Sequence, residues 1–297
     1  MKLSDTWTLL KRSGQEFQND NATTLAAALA FYTALSIAPL LLLVIVIAGA
    51  VFGEQAARGE IAHQLNDLIG SEGAQAVESM LAKSQSPGGG LVSSLVGIVT
   101  LLVGATGVFS SLQTALNAAW NVTPDAGPSE VWGLVRDRLL SFTMICAMAF
   151  LLLVSLVFSA LLHGIGGAFE RWLPYSTVWL GAANLIAGFL LTTLMFAMIY
   201  KFLSYARPDW SDVGVGAAIT AALFTAGKYL IGLYLGRAAV GSSFGAAGSF
   251  VVLLFWIYYS SLILLFGAEF TQVYAQSYGS GLTPAGRRRG LAAHAPA

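Results

Sequence analysis

Two charged side chains stand in stretches that are otherwise almost wholly apolar: Lys228 in Phe224–Gly236 and Glu269 in Gly248–Val273. At membrane depth a charge is costly, so such residues turn toward a protein interior and mark ion or substrate paths. On a helix, Gly214, Ala217, Ala221, Thr225 and Gly232 fall within about 60° of Lys228, and Ile219, Leu230 and Leu233 fall opposite. The lysine therefore shares a small-residue face that is expected to point inward. There it would be a fixed positive charge in an outward-facing cavity, suited to an anionic headgroup or solute. The alternative is an ammonium that snorkels to the outer headgroups along its aliphatic stem. Tyr32, Ser36, Thr225 and Tyr258 are the other path candidates, hydroxyls that either satisfy backbone or line a polar cavity.

Depth argues against pairing the two charges. Counted from opposite membrane faces, Lys228 lies about 22 Å along its helix and Glu269 about 31 Å along its own, a separation above ~15 Å along the normal. Glu54 is the better match for Lys228. Arg136, Arg138 and Lys201 are the better matches for Glu269, which falls close to the cytoplasmic boundary and reads as an interfacial ion pair fixing helix position.

Other chemistries fit poorly. Metal-dependent phosphodiester cleavage needs clustered carboxylates or histidines, and His63, His163 and His294 are scattered. The acids Asp125, Glu130, Asp137, Asp209 and Asp212 fall on short loops with no histidine nearby. No Walker sequence is present, since Gly227-Lys228 is followed by Tyr229. The single cysteine, Cys146, cannot form an intrachain disulfide. The expectation is a non-enzyme with no metal and no cofactor. The formal net charge of zero offers no nucleic-acid footprint.

The elements that must hold these residues follow from composition. Hydrophobic residues make up 56% of the 297 positions and charged residues 10%, against about 25% charged in globular domains. Mean hydropathy is +0.72. A bilayer core of about 30 Å needs about 20 apolar residues per helix. Six such stretches occur: Leu25–Phe52, Leu91–Ala115, Leu139–His163, Val178–Leu203, Val213–Leu235 and Gly248–Val273. The fold expected is all-α, a polytopic membrane protein with six transmembrane helices. Lysine and arginine are biased toward the loops on the side of the two termini, which by the positive-inside rule puts both termini in the cytoplasm. Residues 1–24 form a cytoplasmic segment too polar for a cleaved signal peptide. Residues 25–278 form the membrane domain. Residues 279–297 form a disordered cytoplasmic tail. The one long loop, 53–90, reads as two short amphipathic helices separated near Gly70 and Gly73. They would lie outside the cytoplasm, capping the bundle or resting on headgroups.

Small residues recur every four positions at Ala26, Ala30, Ala34 and Ala38, and again at Gly214, Ala218, Ala222 and Ala226. This spacing lets helices approach closely in lipid. Pro39 is expected to kink the first span.

Four blocks carry a resemblance: Ala26–Tyr32 with Ala38-Pro39-Leu40, Ser111–Trp120, Gly227–Leu235 with Ser243–Ser249, and Phe255–Tyr258 with Leu265–Phe270. Together the chain resembles the YihY/BrkB family of bacterial inner-membrane proteins over roughly residues 21–276. The resemblance implies six spans and an inner-membrane location. It also brings a link to serum resistance, a ribonuclease BN label that looks misassigned, and a suggested export of lipid or solute. Phe244 stands where the family pattern has tyrosine, so any role of that hydroxyl is lost. The functional expectation is a transporter or exporter of a lipid or small solute, anionic solutes included, through a polar cavity in the helix bundle. The alternative is a membrane scaffold or envelope-assembly factor, and the least favoured is a membrane-bound nuclease. The expected partners are the lipid bilayer and such a substrate, with room for a homo-oligomer.

Overall fold

A computed structural model describes residues 3–84, 107–122, 176–206, 208–237 and 248–279. All regular structure among them is helical: α1 (Leu3–Asn19), α2 (Ala22–Phe52), α3 (Glu54–Ser84), α4 (residues 107–119), α5 (Ser176–Leu203), α6 (Trp210–Arg237) and α7 (Gly248–Ser277). Among the described residues, three segments are long and apolar enough to cross a membrane: Leu185–Leu203, Trp210–Ile231 and Phe250–Ser277. Ala22–Ile37 is a shorter apolar helix. The expected third span, most of the second, the loop holding Phe244, and the tail lie outside the described residues, as do Arg136 and Arg138.

The helix boundaries follow from local chemistry. The two non-glycine residues with positive φ among those described are both asparagines, Asn21 at 52° and Asn121 at 53°, as expected of the side chain that best tolerates the left-handed region. Asn21 stops α1, with its N–H on Gln18 O, and starts α2. Past the end of α4, Val122 N–H reaches Asn117 O and Asn121 N–H reaches Ala118 O, the paired bonds of a Schellman stop. Gly53 ends α2 at φ 88°, and its N–H caps Gly49 O. The helix α2 runs on through Pro39.

One feature adds to the sequence reading and one differs from it. Residues 3–19, read from sequence only as a polar segment, form a 17-residue helix. The long loop holds one 31-residue helix, α3, in place of two. Gly70 and Gly73 cost about 1 kcal/mol each in a helix interior, and packing of α3 against α2 outweighs that cost.

The chain divides into two compact units, Met1–Gly14 with Leu116–Leu223 and Gly267–Ala297, and Gln15–Ala115 with Phe224–Phe266. In the second of these, Ala30, Ala34 and Ile45 of α2 share one core with Ala76, Val77 and Leu81 of α3 and with Leu253 and Ile257 of α7. Ala22, Ala26, Ala115 and Leu265 form another. In the first unit, Leu9 of α1 packs on Phe270 and Val273 of α7.

An apolar stripe is exposed at the surface, and a set of polar side chains is buried beside the apolar cores. Leu185, Ile186, Leu190 and Leu194 lie exposed along α5, while Glu269, Thr271, Gln272, Thr220 and Asp212 are buried. An exposed apolar stripe with a polar interior is the arrangement lipid selects, because no water is lost from the outer face.

Candidate functional site

The C-terminal third of α7 gathers three buried polar groups in the first unit. Glu269 is 1% exposed, and Thr271 and Gln272 beside it are buried. Opposite Glu269 on the helix, Gly267 and Thr271 face α6 in a reciprocal crossing. The Thr220 side chain lies against Gly267, and the Thr271 side chain lies against Gly216. Each threonine sits four residues beyond a glycine on its own helix and donates to that glycine's carbonyl, Thr220 Oγ1 to Gly216 O at 2.8 Å and Thr271 Oγ1 to Gly267 O at 2.6 Å. Two Gly-x-x-x-Thr segments thus interlock, each glycine removing the Cβ that the other's threonine would strike. The exchange closes the helix–helix gap while leaving no hydroxyl unsatisfied, which membrane packing requires.

Tyr200 of α5 completes the crossing. Its hydroxyl lies 3.0 Å from Thr220 Oγ1. That threonine's proton is already directed at Gly216 O, so Tyr200 is the donor. Tyr200 is fully buried and stacks on Phe196 with centroids 6.4 Å apart.

Around this crossing, polar contacts fix the element ends. Asn117 Oδ1 accepts from Tyr205 N–H at 3.0 Å, tying α4 to the α5–α6 turn. Asp212 is buried in the first turn of α6, against Gly279, where the helix dipole favours a carboxylate. Arg12 donates to Gln276 Oε1 at 2.9 Å, tying α1 to α7. Among the described residues, the buried Gln272 Oε1 and Trp120 Nε1 make no hydrogen bond.

The residues singled out from sequence fall in different places. Glu269 sits within this polar group. Lys201 belongs to the same unit, where it donates to Pro208 O and stands 5.6 Å above the Trp210 ring. Lys228 lies in the other unit, half-buried, 5.5 Å above the ring of exposed Tyr229. Ser36 is buried and donates to Tyr32 O and Thr33 O. Its hydroxyl is therefore committed to backbone one turn before Pro39. The Tyr32 ring lies against Gly107. Tyr258 packs on both cores of its unit, and Thr225 is half-buried on α6. Glu54 begins α3. Sequence reasoning did not single out Tyr200, Thr220, Thr271 and Gln272. The signal that finds the two threonines is the repeated Gly-x-x-x-Thr spacing, Gly216–Thr220 and Gly267–Thr271; Tyr200 and Gln272 carry no such spacing.

The chain matches the family described as virulence factor BrkB over residues 13–291. It is 28% identical over 261 residues to a UPF0761 membrane protein of Ralstonia nicotianae, covering 87% of this chain and 56% of that one. It is 27% identical to a UPF0761 membrane protein of Mannheimia succiniciproducens, covering 86% of each. A UPF0761 membrane protein of Psychromonas ingrahamii is 28% identical, over 86% of this chain and 83% of the relative. The chain thus spans just over half of the Ralstonia relative's length. No solved structure matches it.

Proposed function

We propose, from the premise that this chain belongs to the virulence factor BrkB family of membrane proteins, that it transports or exports a lipid or small solute through a polar path between helices. The observation that carries this reading is Glu269, 1% exposed on a helix long and apolar enough to span a bilayer. Burying a carboxylate costs stability even near the membrane boundary, and such residues are retained where they pair with a cation or handle an ion, a proton or a polar substrate. The neighbouring amide of Gln272 adds a second buried polar group beside it, whereas the hydroxyls of Tyr200, Thr220 and Thr271 lie on the opposite side of α7 and are committed to the helix crossing. Six spans, an inner-membrane location and cytoplasmic termini complete the reading, supported by the apolar segments and the lysine and arginine bias of the loops.

The test uses purified protein in liposomes holding a fluorescent phospholipid in one set and a labelled anionic solute in another. Protein-dependent movement of either supports transport. Inert vesicles, with the protein folded and correctly inserted, sink it and leave the scaffold reading.

A further inference from the structure

The helix α1 has three faces, and one of them is apolar yet exposed. Leu9 and Ser13 turn inward, Leu9 onto Phe270 and Val273. Thr8, Gln15 and Asn19 are exposed on a polar side. Between these lies an arc of about 60° holding Leu10, Gly14 and Trp7. Trp7 is 71% exposed, Leu10 is exposed, and a side chain at Gly14 would meet open space. Lys11, exposed, borders the arc one turn after Trp7.

The position of this arc says what covers it. The 30 residues of α7 extend about 45 Å, against about 30 Å of hydrocarbon, so its ends reach the headgroups. Leu9 and Arg12 hold α1 against the last turns of α7, at Phe270, Val273 and Gln276. Other aromatic rings stand exposed at this same end of the unit. Phe202 and Trp210 meet edge to face at 5.9 Å beneath the Lys201 ammonium, and Tyr278 follows α7. Asp212, in the first turn of α6, abuts Gly279, so these ends are level with one another. Amphipathic rings beside lysines, spread over several elements at one depth, match the headgroup zone of a bilayer. A protein partner would be met by one contiguous patch.

We propose that α1 is an interfacial helix, with Trp7 and Leu10 immersed at the boundary between acyl chains and headgroups and Lys11 beside the lipid phosphates. The α1 surface then fixes the depth at which the first unit sits. It does not depend on whether the protein transports anything.

Site-directed spin labelling of the full chain in phosphatidylglycerol–phosphatidylethanolamine liposomes tests it. In a Cys146→Ser background, nitroxides are placed by Trp7→Cys, Leu10→Cys and Gln15→Cys. The ratio of oxygen to water-soluble nickel-chelate accessibility is expected to be several-fold higher at 7 and 10 than at 15. Leu10→Cys, the smaller change, carries the test where Trp7→Cys yields no protein. Nickel access at 7 and 10 equal to that at 15 would overturn the proposal, because the arc would then face water. Shielding of both positions from both reagents would also overturn it, because protein, in the form of a second copy or another partner, would then cover the arc.

Discussion

Single residues decide whether the buried polar group has a task. Glu269→Gln keeps the size and hydrogen-bonding capacity of the side chain and removes its charge. The expected outcome is protein of near-unchanged thermal stability whose transport rate falls at least ~10-fold, read by flux in liposomes beside a melting curve. Lys228→Met is expected to shift stability by no more than about 2 kcal/mol, the worth of a half-buried cation over an aromatic ring, measured by thermal unfolding in detergent. The sequence marked both charges by the same rule, an ionisable group in an oily stretch. It did not separate them, because the rule ignores surroundings. Glu269 is almost wholly enclosed, whereas Lys228 rests on Tyr229, itself 63% exposed. Tyr200 was less visible still. A tyrosine inside an apolar run has many uses, and only the three-dimensional meeting with Thr220 gives it one.

At the scale of elements, the reciprocal glycine–threonine crossing of α6 and α7 makes the sharpest prediction. Gly216→Ala drives a methyl group into the Thr271 side chain and is expected to cost about 1–3 kcal/mol, as overpacking does. Gly214→Ala, two residues away with nothing near it, is expected to be neutral or to stabilise by up to about 1 kcal/mol through helix propensity. Thermal unfolding of the pair separates them. Tyr200→Phe removes the donor to Thr220 and is expected to cost about 0.5–1.5 kcal/mol, read in the same melting series. The small-residue rule served one helix and misled on another. On α2, Ala26, Ala30 and Ala34 are buried as the spacing suggested. On α6, Gly214, Ala222 and Ala226 face outward, and Gly216, Ala217, Thr220 and Ala221 face inward. Alanine meets lipid at little cost, so a ladder of small residues permits close packing without choosing its face. The threonines chose it, by needing an internal acceptor and a glycine opposite. The helix α1 escaped sequence reading because its apolar residues fall in two narrow stripes rather than one broad one.

At the scale of the molecule, membrane residence follows from composition and from the exposed apolar stripes, and it is shared with the UPF0761 relatives. The helical class was legible because apolar runs of span length admit no other regular structure in lipid. The polar interior was not, since it is assembled from residues far apart in sequence, such as Asn117 with Tyr205 and Tyr200 with Thr220. The central claim is that Glu269, with Gln272 beside it, serves passage across the membrane. The most direct measurement compares the native chain with Glu269→Gln in parallel liposome flux assays, at matched insertion and matched melting temperature. The account predicts movement of labelled lipid or solute by the native chain and its near-loss in the variant. Equal flux from both would contradict it.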